Sequence, residues 1–544
     1  MKRTMDFQEL SVFIDCSSGS TPTVAMLKQY IDKLSAFGYT HLYLGMMNAL
    51  KLEGEPYLNF CRSGYSVEQL QEIDTYAAER GIELRAAIDV LENKKTMRQH
   101  ACYDHLYDTL RAWMVGDEAV YNFIDKMFAS MSEAIRSRKI HIGVGNLPNP
   151  INTLIDIGDG RYLSKHGLTE RSDILKAHLE RVMEIAKKYG YTCEMWSELF
   201  YRLKINSEYN DNGFIPEEAK DIVPKGISLV HCKFDKQSEE VIRKQIAETK
   251  ELGDDLVYAG GARKWHGLAP DNKYSIDTME RQIAICTDEG IKRYMVTLWT
   301  EQGGHCSLFA VLPALFAVAE MASGKLSQNI DKNLFKEIMG VDYDEFMLLD
   351  NLNNPFFKDI ETLNSRCHWG FMSDPLLGCY DLLLDEQTNE AYAELAERYA
   401  SVTAGEYQSL FEEFHLYAKV LSYKMNMGAR IRQAYRDGNK ELLKQYLEQY
   451  IPEMLEVFEL FTERFKSRWL NENMAFGLEI HLLYYGGQKQ RWKYIMKRIK
   501  QYLEDGLLIE EIEREELEPS LIPKQSEDSL LKMSYINLIT YSHF

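Results

Sequence analysis

Nine cysteines are scattered through 544 residues, and no two stand at the CxxC spacing of a zinc or redox motif. No apolar run is long enough to span a membrane, and the basic Lys2 and Arg3 lead into no apolar stretch. These absences predict a cytoplasmic chain with no secretory signal, whose thiols are reduced and mostly buried. Positive charge is short: 63 Lys and Arg against 83 Asp and Glu leave a net charge of −20. That balance argues against nucleic acid and against an anionic membrane surface as partners. No His or Cys cluster has metal-ligand spacing, so neither a metal nor a cofactor is expected. There is no clear internal repeat and no low-complexity tract. No GxGxxG turn follows the first strand-like run, which argues against a doubly wound dinucleotide-binding sheet.

What is present is ordinary for a globular protein: 45% hydrophobic and 27% charged residues. The length predicts two or three domains. Strand-like and amphipathic helical runs alternate over the first three-fifths of the chain. Strands are expected at Leu10–Asp15, His41–Met46, Ile82–Asp89, Lys139–Val144, Thr192–Trp196, Ile227–Phe234, Leu256–Gly260 and Tyr294–Trp299. Helices are expected over Thr23–Ala36, from Ser66, and over Ile174–Tyr189, Ser238–Leu252 and Thr278–Glu289. About eight such units in about 300 residues suit a closed (β/α)8 TIM barrel, with a doubly wound sheet as the alternative. After Ser323 helical patterns take over: Asn389–Ala400, Glu406–Asp437, Glu441–Tyr450 and a helix opened by Pro452. The expected division is an α/β barrel over 1–324 and a mainly α-helical C-terminal domain over 325–544.

The stretch Lys139-Ile140-His141-Ile142-Gly143-Val144-Gly145-Asn146 reads as a short buried strand ending in a small-residue turn. In a parallel barrel the C-terminal ends of strands are where chemistry sits. This stretch resembles the His-x-Gly-x-Asp-Glu strand of glycoside hydrolase family 20, the β-N-acetylhexosaminidases. Other landmarks fall in the same order: Asp15-Cys16-Ser17, Gly54-Glu55-Pro56-Tyr57, Gly81-Ile82-Glu83-Leu84, Gly160-Arg161-Tyr162-Leu163 with His166-Gly167, Met195-Trp196-Ser197, Ala259-Gly260-Gly261, and Trp265-x-Gly267-x-Ala269-Pro270. The resemblance is strongest from Ser11 to Gly324, and closest to short members that begin at the barrel and end in a helical domain.

The resemblance implies a substrate-assisted reaction, in which the acetamido oxygen of the substrate attacks the anomeric carbon. A Glu protonates the leaving oxygen and the preceding Asp orients the acetamido group. Those two positions are Gly145 and Asn146 here. Neither can replace the lost side chain, and a missing general acid costs about 10²- to 10⁴-fold. Further departures sit at other strand ends: Met46-Met47-Asn48 in place of an acidic segment, Asn93 at a histidine, Ser18 at an arginine, His231-Cys232-Lys233-Phe234 at an aromatic run that holds a tyrosine, and His305 at a glutamate.

Other site features persist. Trp196-Ser197-Glu198 and Trp299-Thr300-Glu301 keep a Trp-x-acid pattern. In the family the tryptophans wall the N-acetyl pocket and the acids bond sugar hydroxyls, as indole faces and carboxylates are suited to do. The expected ligand-binding set is Trp196, Glu198, Trp299, Glu301, Trp265, His141 and Asn48; His141 is also read as a barrel-interior histidine satisfied by the core. The sequence leads first to an impaired or inactive relative that binds an N-acetylhexosamine-type glycan. A second reading is an active glycosidase using Asp89, Glu198 or Glu301 as substitute carboxylates. A third is a scaffold whose helical domain mediates self-association, for example as a homo-oligomer.

Overall fold

In a computed structural model the alternating strands close on themselves. The structure describes residues 6–91, 97–110, 112–144, 157–202, 217–253, 255–265, 267–356, 366–378 and 387–514. The strands are β1 (Glu9–Asp15), β2 (His41–Gly45), β3 (Glu83–Ala87), β4 (Lys139–His141), β5 (Thr192–Trp196), β6 (Ser228–Cys232), β7 (Asp255–Gly261) and β8 (Arg293–Leu298). All pairs are parallel and follow chain order. The β8–β1 seam, with Glu9 opposite Arg293, makes a closed barrel rather than an open sheet.

Local sequence accounts for the helices around it. The helix Val24–Phe37 begins at Thr23, whose hydroxyl accepts the Met26 N–H, and ends at Gly38 in the left-handed conformation. Its buried face is Met26, Leu27, Tyr30, Ile31, Leu34 and Phe37. The helix Val67–Glu79 begins in a reciprocal capping box between Ser66 and Gln69. β4 is shorter than the sequence pattern predicts. Gly143 and Val144 take φ of 73° and 61°, so the backbone leaves the sheet directly after His141 and Ile142.

The chain forms two compact units. One comprises Met1–Ala262, Tyr274–Trp299 and Ala314–Asp331; the other Arg263–Lys273, Thr300–Pro313 and Lys332–Phe544. Among the described residues no strand follows β8, and no helix is long and apolar enough to cross a membrane. The second unit differs from the sequence expectation in two places. The helix predicted over Glu406–Asp437 is two, Gln408–Lys424 and Met427–Arg436. The break occurs where the Asn426 N–H turns to the Asn389 side-chain oxygen, 2.9 Å away. Pro452 stands in the first turn of the helix Ile451–Glu472 as expected, but the helix expected over Glu441–Tyr450 is α-helical only as far as Gln445. The turn Tyr446–Tyr450 is π-helical and runs directly into Ile451–Glu472. A proline cannot donate to the preceding turn and its ring crowds it, so the turn widens instead of ending.

The first unit is tied together inside the barrel by charge. Arg85 of β3 and Arg293 of β8 meet Glu9 of β1 at 2.9 and 2.7 Å. Arg293 also pairs with Glu194 of β5. The Tyr43 hydroxyl of β2 donates to Glu194 at 2.8 Å and accepts from Arg85 at 2.6 Å. Arg85 and Glu194 are each only 1% exposed. Burial alone would raise the Glu194 carboxyl, but the Arg293 and Arg85 guanidiniums outweigh it and hold the group ionised. Removing one member strands its partners in a dry interior. Arg293→Met is therefore expected to cost about 3–5 kcal/mol, read as a fall in the denaturant midpoint of the barrel signal.

Candidate active site

Side chains alternate across a strand, so residues two apart share a face. From Glu9, the inward face of β1 continues through Ser11 and Phe13 to Asp15. The same count runs from Tyr43 to Gly45 and Met47, from Arg85 to Ala87 and Asp89, and from Glu194 to Trp196. Phe13, Asp15, Gly45, Met47, Ala87, Asp89 and Trp196, with His141, Gly143 and Trp299, line a cleft at the C-terminal end of the barrel. Its free space, open mouth included, is about 360 Å³.

The floor is aromatic. The Phe13 ring lies 5.1 Å from Trp299, 5.5 Å from Trp196 and 6.3 Å from His141. Trp196 and Trp299 are 5.6 Å apart, and His141 packs 4.3 Å from Trp196. Gly45 is required by this arrangement, because a Cβ there would stand 2.8 Å from the Phe13 ring.

His141 has a fixed tautomer. Its Nδ1 accepts the Gly143 N–H at 3.0 Å, so the proton of the neutral ring is on Nε2. Burial lowers its pKa to about 4, and the ring is neutral near pH 7. The Nε2–H is buried and meets no acceptor among the described residues; the same is true of the Trp299 indole N–H. His141 is thus only half satisfied by the core. Two carboxylates line the same cleft. Asp15 Oδ1 accepts from the Ser17 N–H and hydroxyl at 2.9 and 2.6 Å. Asp89 Oδ1 accepts the Leu91 N–H at 3.0 Å. Asp89 presses on β4 so closely that a Cβ on Gly143 would lie 2.6 Å from its Oδ2. Val144, a β-branched residue at φ 61°, carries strain of about 1–3 kcal/mol.

The other sequence candidates are distributed differently. Glu198 does not line this cleft. Its Oε1 accepts the Cys232 N–H at 2.7 Å and stitches β5 to β6, 3.9 Å from His231. His231 bonds Gln245 and Ser197, each at 3.1 Å. Asn48 is buried beside Met47. Phe234 reaches Trp299, with ring centroids 6.4 Å apart. Trp265 is buried in the second unit, and the backbone of Glu301 begins the helix Glu301–Gly304 there. His305, also in the second unit, stacks on His481 at 4.5 Å and bonds the Tyr485 hydroxyl, a core role. Gly145, Asn146 and Asn93 lie outside the described residues. Among the described residues no group of three or more His, Cys, Asp or Glu could hold a metal ion.

Sequence reasoning placed Trp196, Trp299, His141 and Asp89 at strand ends. It did not nominate Phe13, Asp15, Ser17 or Met47 as site residues. Counting every second residue outward from Glu9, Tyr43 and Arg85 would have found Phe13, Asp15 and Met47.

Two family models match the chain. One, described as the glycosyl hydrolase family 20 catalytic domain, covers residues 22–323. The other, a glycoside hydrolase 20C C-terminal domain, covers residues 344–531. A family 20 exo-β-N-acetylglucosaminidase from Vibrio harveyi, solved with N-acetylglucosamine, aligns at 15% identity and a TM-score of 0.47 over 64% of this chain and 59% of that one. A mutant Streptomyces plicatus β-hexosaminidase with its product GlcNAc aligns at 17% identity and a TM-score of 0.44 over 62% of this chain and 70% of that one. No curated protein sequence matches the chain.

Three neutral histidines buried in the barrel unit make its stability depend on pH. His141 and His178 are lowered to about 4 and His231 to about 3, in each case chiefly by burial. In the unfolded chain each takes a proton near 6.5. Stability is therefore full above pH 7 and is lost as pH falls toward 4, by up to about 1.4 kcal/mol per pH unit per histidine. Urea midpoints measured from pH 7.5 to 4.5 should be flat at first and then fall steeply.

Proposed function

The chain belongs to glycoside hydrolase family 20, and from this premise we propose that it binds an N-acetylhexosamine-type glycan in the barrel cleft and hydrolyses it very weakly or not at all. The observation that carries the binding half is the aromatic floor at the barrel mouth, with Trp196 and Trp299 5.6 Å apart. Indole faces suit the apolar face of a pyranose. The Nε2–H of His141 and the indole N–H of Trp299, both buried with no acceptor among the described residues, suit its oxygens. A buried donor gains most from the partner it lacks.

The reaction half rests on the sequence at 145 and 146. Substrate assistance needs a proton donor for the leaving oxygen and an anion that orients the acetamido nitrogen. Asn146 has no titratable proton, and Gly145 has no side chain. His141 is not a substitute acid, since a ring with a pKa near 4 carries no spare proton at neutral pH. An aryl N-acetylglucosaminide assayed with purified protein should show turnover far below the common range of about 1–10³ s⁻¹. The Gly145→Asp, Asn146→Glu double variant is expected to raise it. Turnover within that range in the native protein would defeat the proposal.

A second reading, an active glycosidase with other carboxylates, is favoured by one observation: Asp15 and Asp89 line the same cleft. Any residual turnover that arises there should fall about 10²-fold or more in Asp89→Asn or Asp15→Asn. Turnover unchanged in both variants, and also in Glu198→Gln and Glu301→Gln, rules this reading out.

A further inference from the structure

The loops after β2 and β3 leave the barrel through Met47 and Asp89, both of which line the cleft. Farther along, they bring three rings together. Tyr57 lies 5.6 Å from Phe60 and 5.2 Å from His100, and Phe60 meets His100 edge to face at 5.6 Å. Rings that only held two loops together would be covered. Instead Tyr57 is 45% and Phe60 54% exposed. Among the described residues the other exposed large aromatic side chains are Phe476 and Tyr494, so these two form an exposed aromatic pair in mutual contact. An exposed apolar surface with a polar rim marks a binding site more often than a solitary exposed ring does.

The rim is polar. Tyr57 also forms one wall of a groove of about 860 Å³ of free space, mouth included, whose lining includes Glu55, Asn122, Lys126 and His105. Lys126 and Glu55 pair at 2.6 Å, so the groove offers acceptors and donors without net charge. A neutral groove on a chain of net charge −20 does not select an anion. Ring faces for an apolar surface, with an amide and a neutralised ion pair for hydroxyls, are complementary to a neutral sugar.

From this geometry we infer that Tyr57 and Phe60 form a second carbohydrate-binding surface, which takes the neutral sugar units of an oligosaccharide outside the cleft. The inference extends the glycan reading of the cleft but stands on different residues.

The test is a calorimetric titration of the full chain with N-acetylglucosamine and with chitohexaose, using the native protein and a Tyr57→Ala, Phe60→Ala variant. Both substitutions are at exposed positions, and unchanged thermal melting would confirm the fold. Chitohexaose should bind the native protein about tenfold more tightly than the monosaccharide, and the variant should lose about that factor for chitohexaose alone. Native protein that binds chitohexaose no better than N-acetylglucosamine, or not at all, overturns the inference. So does a variant that binds chitohexaose unchanged, including one whose oligomeric state shifts in light scattering, which would make the rings a self-contact. Chitohexaose held through Tyr57 and Phe60 with no binding of N-acetylglucosamine would leave this surface standing and remove the cleft reading.

Discussion

Two carboxylates and two guanidiniums share the barrel interior, and their balance is the condition on which the rest of the unit stands. Each charge alone would cost several kcal/mol to bury. Together Glu9, Arg85, Glu194 and Arg293, with the Tyr43 phenol between them, satisfy one another across β1, β2, β3, β5 and β8. The contact between Glu9 and Arg293 spans 284 positions of sequence and lies on the seam that closes the barrel. Because side chains alternate, fixing this belt fixes the inward face of every strand that contributes to it. The functional cleft is then the continuation of the belt toward the strand ends: Phe13 and Asp15 above Glu9, Met47 above Tyr43, Asp89 above Arg85, Trp196 above Glu194.

This explains which parts of the fold were readable. β-branched runs separated by capped helices are local signals, and Thr23, Gly38, Ser66 and Gln69 punctuate the chain where the helices begin and end. The belt is not local. Glu9, Arg85 and Arg293 read as ordinary charged residues near strand starts, because what neutralises them comes from other strands. The helical unit shows the same limit. The break at Met425–Asn426 depends on an acceptor supplied by Asn389, 37 positions earlier, and no propensity at 425 or 426 announces it.

The site divides in the same way. Trp196, Trp299, His141 and Asp89 could be placed at strand ends from sequence, since tryptophan and histidine beside small-residue turns are conspicuous. Asp15 and Phe13 were passed over because they belong to a strand that reads as plain core. Glu198 shows the same limit. The resemblance implied a sugar contact for it, and the structure adds that its Oε1 accepts from the β6 backbone at Cys232, a partner that becomes visible only when the strands are laid side by side.

The contact between Phe13 and Gly45 has an evolutionary corollary. The benzyl group occupies the volume that any side chain at 45 would need, so the two sites are free to drift only as a pair. Relatives that carry alanine or larger at the second position should carry a smaller residue at the first, and their cleft should reach deeper along the axis. Aligned sequences sorted on these two columns would then separate shallow-floored members from deep-floored ones, independently of what stands where the acid pair belongs.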